Sequence, residues 1–376
     1  MKGYKGFDEN LQCKGYQYEI GRTETTEEAK LCEKGFHFCE NPLDVFNYYE
    51  PGKNRFCEIE ADGVSEEKES DTKRVAKQLT VKAELGIKGI AKAQIEYIKR
   101  HAEYAATTGN EAHAATTGNW ANAATTGNEA HAATTGNEAH AATTGDRAHA
   151  ATTGDRAHAA TTGNGAHAAT TGYWAHAATT GNEAHAATTG NWANAATTGN
   201  EAHAATTGYG ANAATTGNEA HAATTGNEAH AATTGYGANA ATTGDRAHAA
   251  TTGYGANAAT TGYWAHAATT GYWANAATTG DRAHAATTGD WANAATTGYG
   301  AHAEVSGQES IAAAIGIGSK SRGALGCWIV CAEWEEDELD TFHIKSVQAA
   351  SVDGEKIKPD TWYTLKDGVF VEAEDD

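Results

Sequence analysis

Residues 105–113 read Ala-Ala-Thr-Thr-Gly-Asn-Glu-Ala-His, and this nine-residue unit decides the fold of most of the chain. It recurs without insertion in 22 copies up to His302, with a glycine at every ninth residue from Gly109 to Gly298. Seven of the nine positions are nearly invariant, and the variation is concentrated in the two residues after glycine. So strict a period indicates a stacked array, in which each unit buries its face only against its neighbours.

The composition of the unit favours short strands over a helix or a disordered tract. A glycine in every unit and paired threonines disfavour a helix, and a disordered tract would drift in sequence. The array contains no Leu, Ile, Val, Phe or Met, so its interior must consist of small side chains. The ninth position alternates between His and Asn over residues 185–221 and again over 230–302, which is a period of 18 residues. We therefore predict a mainly β fold, a parallel β-solenoid (β-roll) with two units per coil.

The flanking segments have ordinary compositions and divide the chain into four predicted parts. Residues 1–84 are predicted to form a small α+β domain, and residues 105–326 the solenoid with degenerate C-terminal coils. Residues 85–104 are expected to hold a helix, starting near Lys88, that closes the N-terminal end of the solenoid. Residues 327–376 are predicted to form a β cap with a terminal hairpin.

Individual elements are predicted within the flanks. A short helix is expected after Pro42, because proline favours the first turn of a helix. Strands are expected at 13–20, 35–39, 55–60, 327–334, 361–365 and 369–372.

Two stretches resemble known families. Residues 310–324, Ser-Ile-Ala-Ala-Ala-Ile-Gly-Ile-Gly-Ser-Lys-Ser-Arg-Gly-Ala, resemble the head repeats of trimeric autotransporter adhesins, which form left-handed β-rolls. The three-part layout resembles a group of uncharacterised phage and prophage proteins, through residues 4–7 (Tyr-Lys-Gly-Phe), 15–19 and 31–45, the Ala-Thr-Gly repeats, and the ending at 353–363. This second resemblance implies a phage or prophage origin and no established activity.

Charge and apolar patterning limit the partners. With 27 Lys and Arg against 48 Asp and Glu, the formal net charge is −21. That charge argues against binding to nucleic acid phosphates or to an anionic membrane. The start of the sequence has no apolar run of the kind found in signal peptides, and six cysteines are too few for a disulfide scaffold. We expect a cytoplasmic protein, in the host cell of a phage or prophage, that binds neither nucleic acid nor membrane.

Aromatic residues in the variable positions after glycine are the candidate binding surface. Exposed aromatic side chains commonly mark contacts with other proteins. The alternative is that neighbouring rings stack and only shield the turns. The candidates are Trp120, Tyr173, Trp174, Trp192, Tyr209, Tyr236, Tyr254, Tyr263, Trp264, Tyr272, Trp273, Trp291 and Tyr299. A protein partner or a second copy of the chain (a homo-oligomer) is the expected occupant.

The invariant positions of the unit have competing interpretations. Stacked histidines could bind a transition metal, but asparagine replaces histidine in seven copies and is a poor ligand for Zn, Ni or Cu. We therefore expect a structural polar ladder and no metal or cofactor. The threonine pair could form an ice-binding face, although strand alternation leaves one threonine rank per face. The other interpretation is an inward threonine that hydrogen-bonds the turn backbone.

The N-terminal module holds the candidate residues for an enzymatic site. Residues 35–39, then Tyr48, Tyr49 and Glu58-Ile59-Glu60, loosely resemble elements of ADP-ribosyltransferase-like folds, which would imply a modifying module with the solenoid as scaffold. A zinc site from Cys32, His37, Cys39 and Cys57 has an unusual ligand spacing. DNA mimicry by an acidic solenoid is a further alternative. The sequence favours a non-enzymatic structural or binding repeat protein, with no catalytic residue assigned.

Overall fold

The computed structural model describes residues 1–31, 33–65, 72–101 and 106–374. Strands make up 52% of the chain and helix 5%, and stacked parallel strands form a β-solenoid. The mainly β solenoid predicted from the nine-residue unit is therefore confirmed. The chain divides into two compact units: Met1–Thr206 with Asn212–Ala214, and Thr207–Ala211 with Thr215–Asp376.

The first unit begins with a small β domain. Its strands are β1 (Lys2–Phe7), β2 (Gln12–Cys13), β3 (Tyr16–Gln17), β4 (Thr23–Thr25), β5 (Phe36–Cys39), β6 (Arg55–Val64) and β7 (Lys73–Glu84). A 3-10 helix, Pro42–Asn47, follows β5. The sheet closes on itself, because β7 pairs with both β5 and β6, while β1 pairs with both β5 and β6 on the other side. Phe7, Phe38, Ile59 and Leu79 lie in its core. Strands β1, β4 and β7 were missed by the sequence prediction. The single strand predicted at 13–20 is wrong, because Cys13 and Tyr16 pair antiparallel across a tight turn.

The array strands follow one another at nine-residue spacing. In chain order they are β8 (Ala106–Thr108), β9 (His113–Thr117), β10 (Asn122–Thr126), β11 (His131–Thr135), β12 (His140–Thr144), β13 (His149–Thr153), β14 (His158–Thr162), β15 (His167–Thr171), β16 (His176–Thr180), β17 (His185–Thr189), β18 (Asn194–Thr198), β19 (His203–Thr207), β20 (Asn212–Thr216), β21 (His221–Thr225), β22 (His230–Thr234), β23 (Asn239–Thr243), β24 (His248–Thr252), β25 (Asn257–Thr261), β26 (His266–Thr270), β27 (Asn275–Thr279), β28 (His284–Thr287) and β29 (Asn293–Thr296).

Within each unit, array strands pair in parallel with strands 18 residues away. In the first unit His140 aligns with Asn122 and with His158, and His131 aligns with His149. Even-numbered and odd-numbered strands therefore form two separate sheets, and one coil contains two nine-residue units. The same pairing holds in the second unit, where Asn257 aligns with Asn239.

Strand alternation sorts the unit into inward and outward residues. In β24, Ala249 and Thr251 are buried between the sheets, while Thr252 is exposed. The His or Asn residue, the second alanine and the second threonine of each unit therefore face outward, and the first alanine and first threonine face inward. The inward threonine hydroxyls have no hydrogen-bond partner among the described residues, so the interpretation that they bond the turn backbone is wrong.

Helix α1 (Gly86–His101) confirms the helix expected in this region, but its position differs from the prediction. It contacts β10, β12, β14, β16 and β18, so it lies across the outer face of the even-numbered strands instead of closing the first coil. Ile90 and Ile95 are the side chains that pack on the outward alanines there, such as Ala178 and Ala160. The short side chains of these outward alanines leave room for the apolar face of the helix.

The second unit ends in antiparallel strands. Parallel pairing continues through β30 (His302–Val305), β31 (Ile311–Ala314), β32 (Lys320–Gly323) and the start of β33 (Trp328–Glu336). Strand β34 (Phe342–Ser351), which the sequence prediction missed, then pairs antiparallel with β33. The predicted terminal hairpin is present as β35 (Tyr363–Lys366) and β36 (Val369–Glu372).

The glycine of the unit is required by the close approach of successive coils. A Cβ on Gly253, whose φ is +153°, would overlap the carbonyl of Gly235 one coil earlier. A Cβ on Gly255 (φ +64°), two residues later, would meet no atom within 4 Å, and other copies hold Glu, Arg or Trp at that position of the turn.

We predict that Gly253→Ala lowers the free energy of unfolding by about 2–3 kcal/mol. Gly255→Ala should change it by less than about 1 kcal/mol. Urea denaturation of both variants tests this, and equal losses would contradict it.

The unpartnered inward hydroxyls give a second prediction. Replacing a buried hydroxyl that has no hydrogen bond by a methyl group removes a desolvation cost. We predict that Thr251→Val raises the free energy of unfolding by up to about 1 kcal/mol. The exposed neighbour supplies the control, since Thr252→Val should stay within about 0.5 kcal/mol of the wild type. A destabilised Thr251→Val variant would show that these hydroxyls have a partner.

Candidate functional site

The turns that follow each glycine present the variable residues to solvent. In the turn at Gly262, the amide of Ala265 donates to the Gly262 carbonyl at 3.3 Å, which closes a four-residue turn. Trp264, the third residue of that turn, has a φ of +57°. A positive φ at this position is typical of a type II turn and is normally filled by glycine or asparagine. All six array tryptophans occupy this left-handed position.

Five predicted aromatic residues lie together along one side of the second unit. The rings of Tyr236 and Tyr254 stack with centroids 5.1 Å apart, and Tyr254 stacks on Tyr272 at 5.6 Å. Trp291 then meets Tyr272 at 4.7 Å and Trp273 at 5.6 Å. We call these five residues the aromatic edge. Four successive turns form it, and its rings remain 37–57% exposed.

On the opposite side of the second unit, aromatic and basic turns alternate. Tyr263 and Trp264 form an edge-on pair, and the guanidinium of Arg282 lies 5.2 Å from the centre of the Trp264 ring. In the first unit Trp174 stacks on Trp192 at 5.6 Å, with Tyr173 edge-on to Trp174. Shielding of one ring by another therefore occurs on these turns, as the alternative interpretation expects.

The remaining predicted residues are distributed along the array. Trp120 and Tyr299 are 54% and 57% exposed. The hydroxyl of Tyr209 bonds to Glu228, which raises the pKa of the phenol.

The outward histidines form regular stacks. On the odd-numbered strands of the first unit, successive rings from His131 to His203 are parallel within 5° and lie 4.7–4.8 Å apart. Burial and the neighbouring imidazoles lower the pKa of His149 and of His167. Parallel rings point their nitrogens in the same direction instead of toward one centre. Among the described residues, no three His, Cys, Asp or Glu side chains are placed to hold a metal ion.

On the even-numbered strands of the first unit, the histidine row is covered. His158 Nε2 lies 3.1 Å from Asp44 Oδ1, and His176 Nε2 lies 2.8 Å from Asn47 Oδ1. Burial lowers the pKa of His158 to about 3 even beside that carboxylate, and it also lowers the pKa of His176. These neutral imidazoles hold the 3-10 helix of the β domain against the array.

A cavity of about 570 Å³ lies within the β domain of the first unit. Its lining comes from five segments: β1, the β2–β3 hairpin, β5, the 3-10 helix with the residues after it, and the start of β7. Lys5 is 5% exposed; its Nζ donates to the carbonyl of His37 at 2.8 Å and to Cys13 Sγ at 3.4 Å. Sequence reasoning missed Lys5, because no local motif joins residues that five separate segments contribute.

The candidate residues for an enzymatic site and for a zinc site do not all lie at the cavity. His37 and Tyr49 line the cavity, whereas Glu58 and Glu60 do not, and their carboxylates pair with Lys2 at 3.0 Å and Lys82 at 2.7 Å. Of the proposed zinc ligands, Cys32 lies outside the described residues. Burial raises the pKa of the Cys57 thiol to about 12.

No helix within the described ranges is long and apolar enough to cross a membrane.

Comparison with known families gives a match at the N-terminus. Residues 1–93, about a quarter of the chain, match the model of a domain of unknown function, DUF7666. The match covers the β domain and the first half of α1. No curated protein and no solved structure shows significant similarity to the chain.

The buried histidines predict acid sensitivity. A histidine with a lowered pKa binds fewer protons in the folded state than in the unfolded state, where its pKa is about 6.5. The stabilising contribution of a neutral His158 is therefore complete above about pH 6.5 and falls as the pH drops toward 3. We expect urea midpoints measured between pH 8 and pH 4 to decrease, and to decrease less steeply in His158→Asn. His113→Asn, on the exposed row, should keep the wild-type slope; equal slopes in all three proteins would contradict this assignment.

Proposed function

We propose that this protein is a non-enzymatic scaffold whose β-solenoid contacts other protein chains through the aromatic edge. The observation that carries the proposal is the run of exposed rings at Tyr236, Tyr254, Tyr272, Trp273 and Trp291, contributed by four successive turns. Tyrosine and tryptophan are enriched in protein interfaces and dominate their binding energy.

Backbone strain supports a role beyond folding for the tryptophans. Trp273 and Trp291 have φ values of +62° and +53°, which cost a non-glycine residue about 1 kcal/mol each. Gly237 and Gly255 take the same position in neighbouring turns of the same side. Since glycine satisfies the turn at lower cost, the tryptophans are retained for what their side chains contact.

The tyrosines of the aromatic edge stand where other turns have an Asn or Asp that accepts a hydrogen bond from the next coil. Where the first turn residue is Asn or Asp, its side chain accepts the amide of the next coil, as Asn218 Oδ1 does from Tyr236 at 3.2 Å and Asp290 Oδ1 from Gln308 at 2.7 Å. Tyr236, Tyr254 and Tyr272 place a ring where that acceptor would be. Three consecutive losses of this bond favour a surface selected for contact.

The occupant we propose is a protein, either a different partner or a second copy of the chain. The net charge of −21 and the resemblance to phage and prophage proteins support a cytoplasmic location in a phage host, away from nucleic acid and membrane surfaces.

The test replaces the aromatic edge with residues that the array already uses at these positions. The variant carries five substitutions: Tyr236→Asn, Tyr254→Asn, Tyr272→Asn, Trp273→Glu and Trp291→Glu. The asparagines restore the side-chain acceptors. The glutamates take the left-handed position that Glu219 already occupies in another turn. We expect unchanged or higher thermal stability together with at least a tenfold loss of association. Light scattering measures self-association, and a photo-crosslinker at residue 254 captures a partner in cells of the source.

The matched control is Glu219→Gln with Glu228→Gln, two substitutions in turns of the second unit that lack tryptophan and tyrosine. This control should associate as the wild type does. Association that is equally strong in the aromatic-edge variant, or a wild-type protein that stays monomeric and captures nothing, would refute the proposal.

A further inference from the structure

The cavity of the β domain has the size and the walls of a ligand site. Its volume of about 570 Å³ lies in the range of about 300–1,000 Å³ that is usual for small-molecule pockets. Tyr18 and Phe38 are 4% and 2% exposed and belong to the packed core, so those walls are fixed. Tyr16, 46% exposed, lies edge-on to Tyr18 with ring centroids 5.0 Å apart.

The aromatic walls suit a flat ligand. Tyr4, Tyr48, Tyr49 and Phe36 also line the space. Gly6 in β1 leaves room for the Tyr49 ring, since a Cβ at Gly6 would overlap that ring. Rings held in this way offer faces and edges to a planar group, an interaction worth about 0.5–1.5 kcal/mol per pair beyond area burial.

All charged side chains that line the cavity within the described residues are positive. Lys5, Lys14 and Lys73 line the cavity together with His37, and none of the described lining residues is Asp or Glu. In a chain of net charge −21, a lining with three lysines and no described Asp or Glu is a local exception. Burial and these three lysines lower the pKa of His37 to about 4, which reports the positive field in the cavity.

Lys5 is the buried cation of this group. Its ammonium has three N–H donors, and two of them are directed to His37 O and Cys13 Sγ. Its Nζ also lies 5.5–5.6 Å from the ring centres of Phe7 and Tyr18. Among the described residues Lys5 has no carboxylate partner, although a buried charge is normally paired. Burial lowers the pKa of Lys5, and an anion beside Nζ would reverse that effect.

We propose that this cavity binds a small organic anion built on a flat ring, with its carboxylate or phosphate at Lys5 and its ring between the tyrosine and phenylalanine side chains. This site goes beyond the aromatic edge, since it lies in the other unit and uses none of the residues of that edge.

The experiment uses a matched pair of fluorescent probes on the full chain. 8-Anilinonaphthalene-1-sulfonate carries a flat ring system and an anionic group, and N-phenyl-1-naphthylamine is the same ring system without the anion. We expect the wild type to bind the sulfonate at least tenfold more tightly than the neutral amine. Lys5→Met should remove this preference while leaving the affinity for the neutral probe within twofold. Lys2→Met, on an exposed lysine paired with Glu58, is the control and should bind both probes as the wild type does.

Two further measurements keep the test decisive. Because Lys5 hydrogen-bonds within the core, Lys14→Met and Lys73→Met are measured in parallel, and each should weaken sulfonate binding with thermal stability unchanged. Adenosine 5′-monophosphate and 1-naphthoate then compete with the sulfonate: displacement by the first assigns a phosphate, and by the second a carboxylate. Equal affinity for the two probes, an unaltered preference in all three lysine variants, or displacement by neither competitor would overturn the proposal.

Discussion

The array depends on how closely its coils approach at the glycines. The amide of Gly253 donates to Thr270 O at 2.9 Å and that of Gly255 to Tyr272 O at 2.8 Å, so the ladder of backbone hydrogen bonds runs through the turns as well as the strands. Such continuity leaves no room for a Cβ at the glycine that starts the turn. An interior of alanine and threonine buries little apolar area per residue, so these backbone bonds and the repeated close contacts must supply most of the stability. A strict nine-residue period follows, because one insertion would move a glycine out of its only tolerated place.

The same alternation that builds the interior creates two kinds of outer surface in the first unit. On the odd-numbered strands the outward row of histidines is partly exposed to solvent. On the even-numbered strands the 3-10 helix and α1 cover the row, since Asp44 contacts His158 and Asn47 contacts His176. Gln94 accepts from the Leu43 amide at 3.2 Å and contacts His140 at 3.3 Å, so it joins the 3-10 helix to the array. One residue type thus serves as an exposed stack on one face and as a buried hydrogen-bonding group on the other. The exchange of His for Asn across copies suits both uses, since each offers a polar group near the same position.

The contact role proposed for the aromatic edge and the folding of the array place opposite demands on the turns. Asn or Asp in the first variable position lends an acceptor to the next coil, and glycine in the second would relax the backbone. The aromatic edge departs from the first preference at Tyr236 and Tyr254, from both at Tyr272 and Trp273, and from the second at Trp291. The β domain departs from the most stable choice of residue in another way. Lys5 is buried without a carboxylate partner among the described residues. An apolar side chain at this place in the small barrel would cost less free energy. Both departures are local, and the surrounding ladder or barrel is continuous enough to hold them.

The sequence by itself determined the repeat architecture, because period, glycine placement and small side chains leave one way to stack. The 18-residue coil followed from the alternation of His and Asn, and the aromatic residues of the turns were all found from their position after glycine. Only the tertiary structure decided which rings touch: Tyr236, Tyr254 and Tyr272 stack in turn, and Trp291 meets Tyr272 edge-on. It also decided that α1 lies across the strands and that Lys5, His37 and Lys73 enclose one cavity. These relations depend on packing between segments far apart in the chain, and no local pattern of residue types encodes such packing.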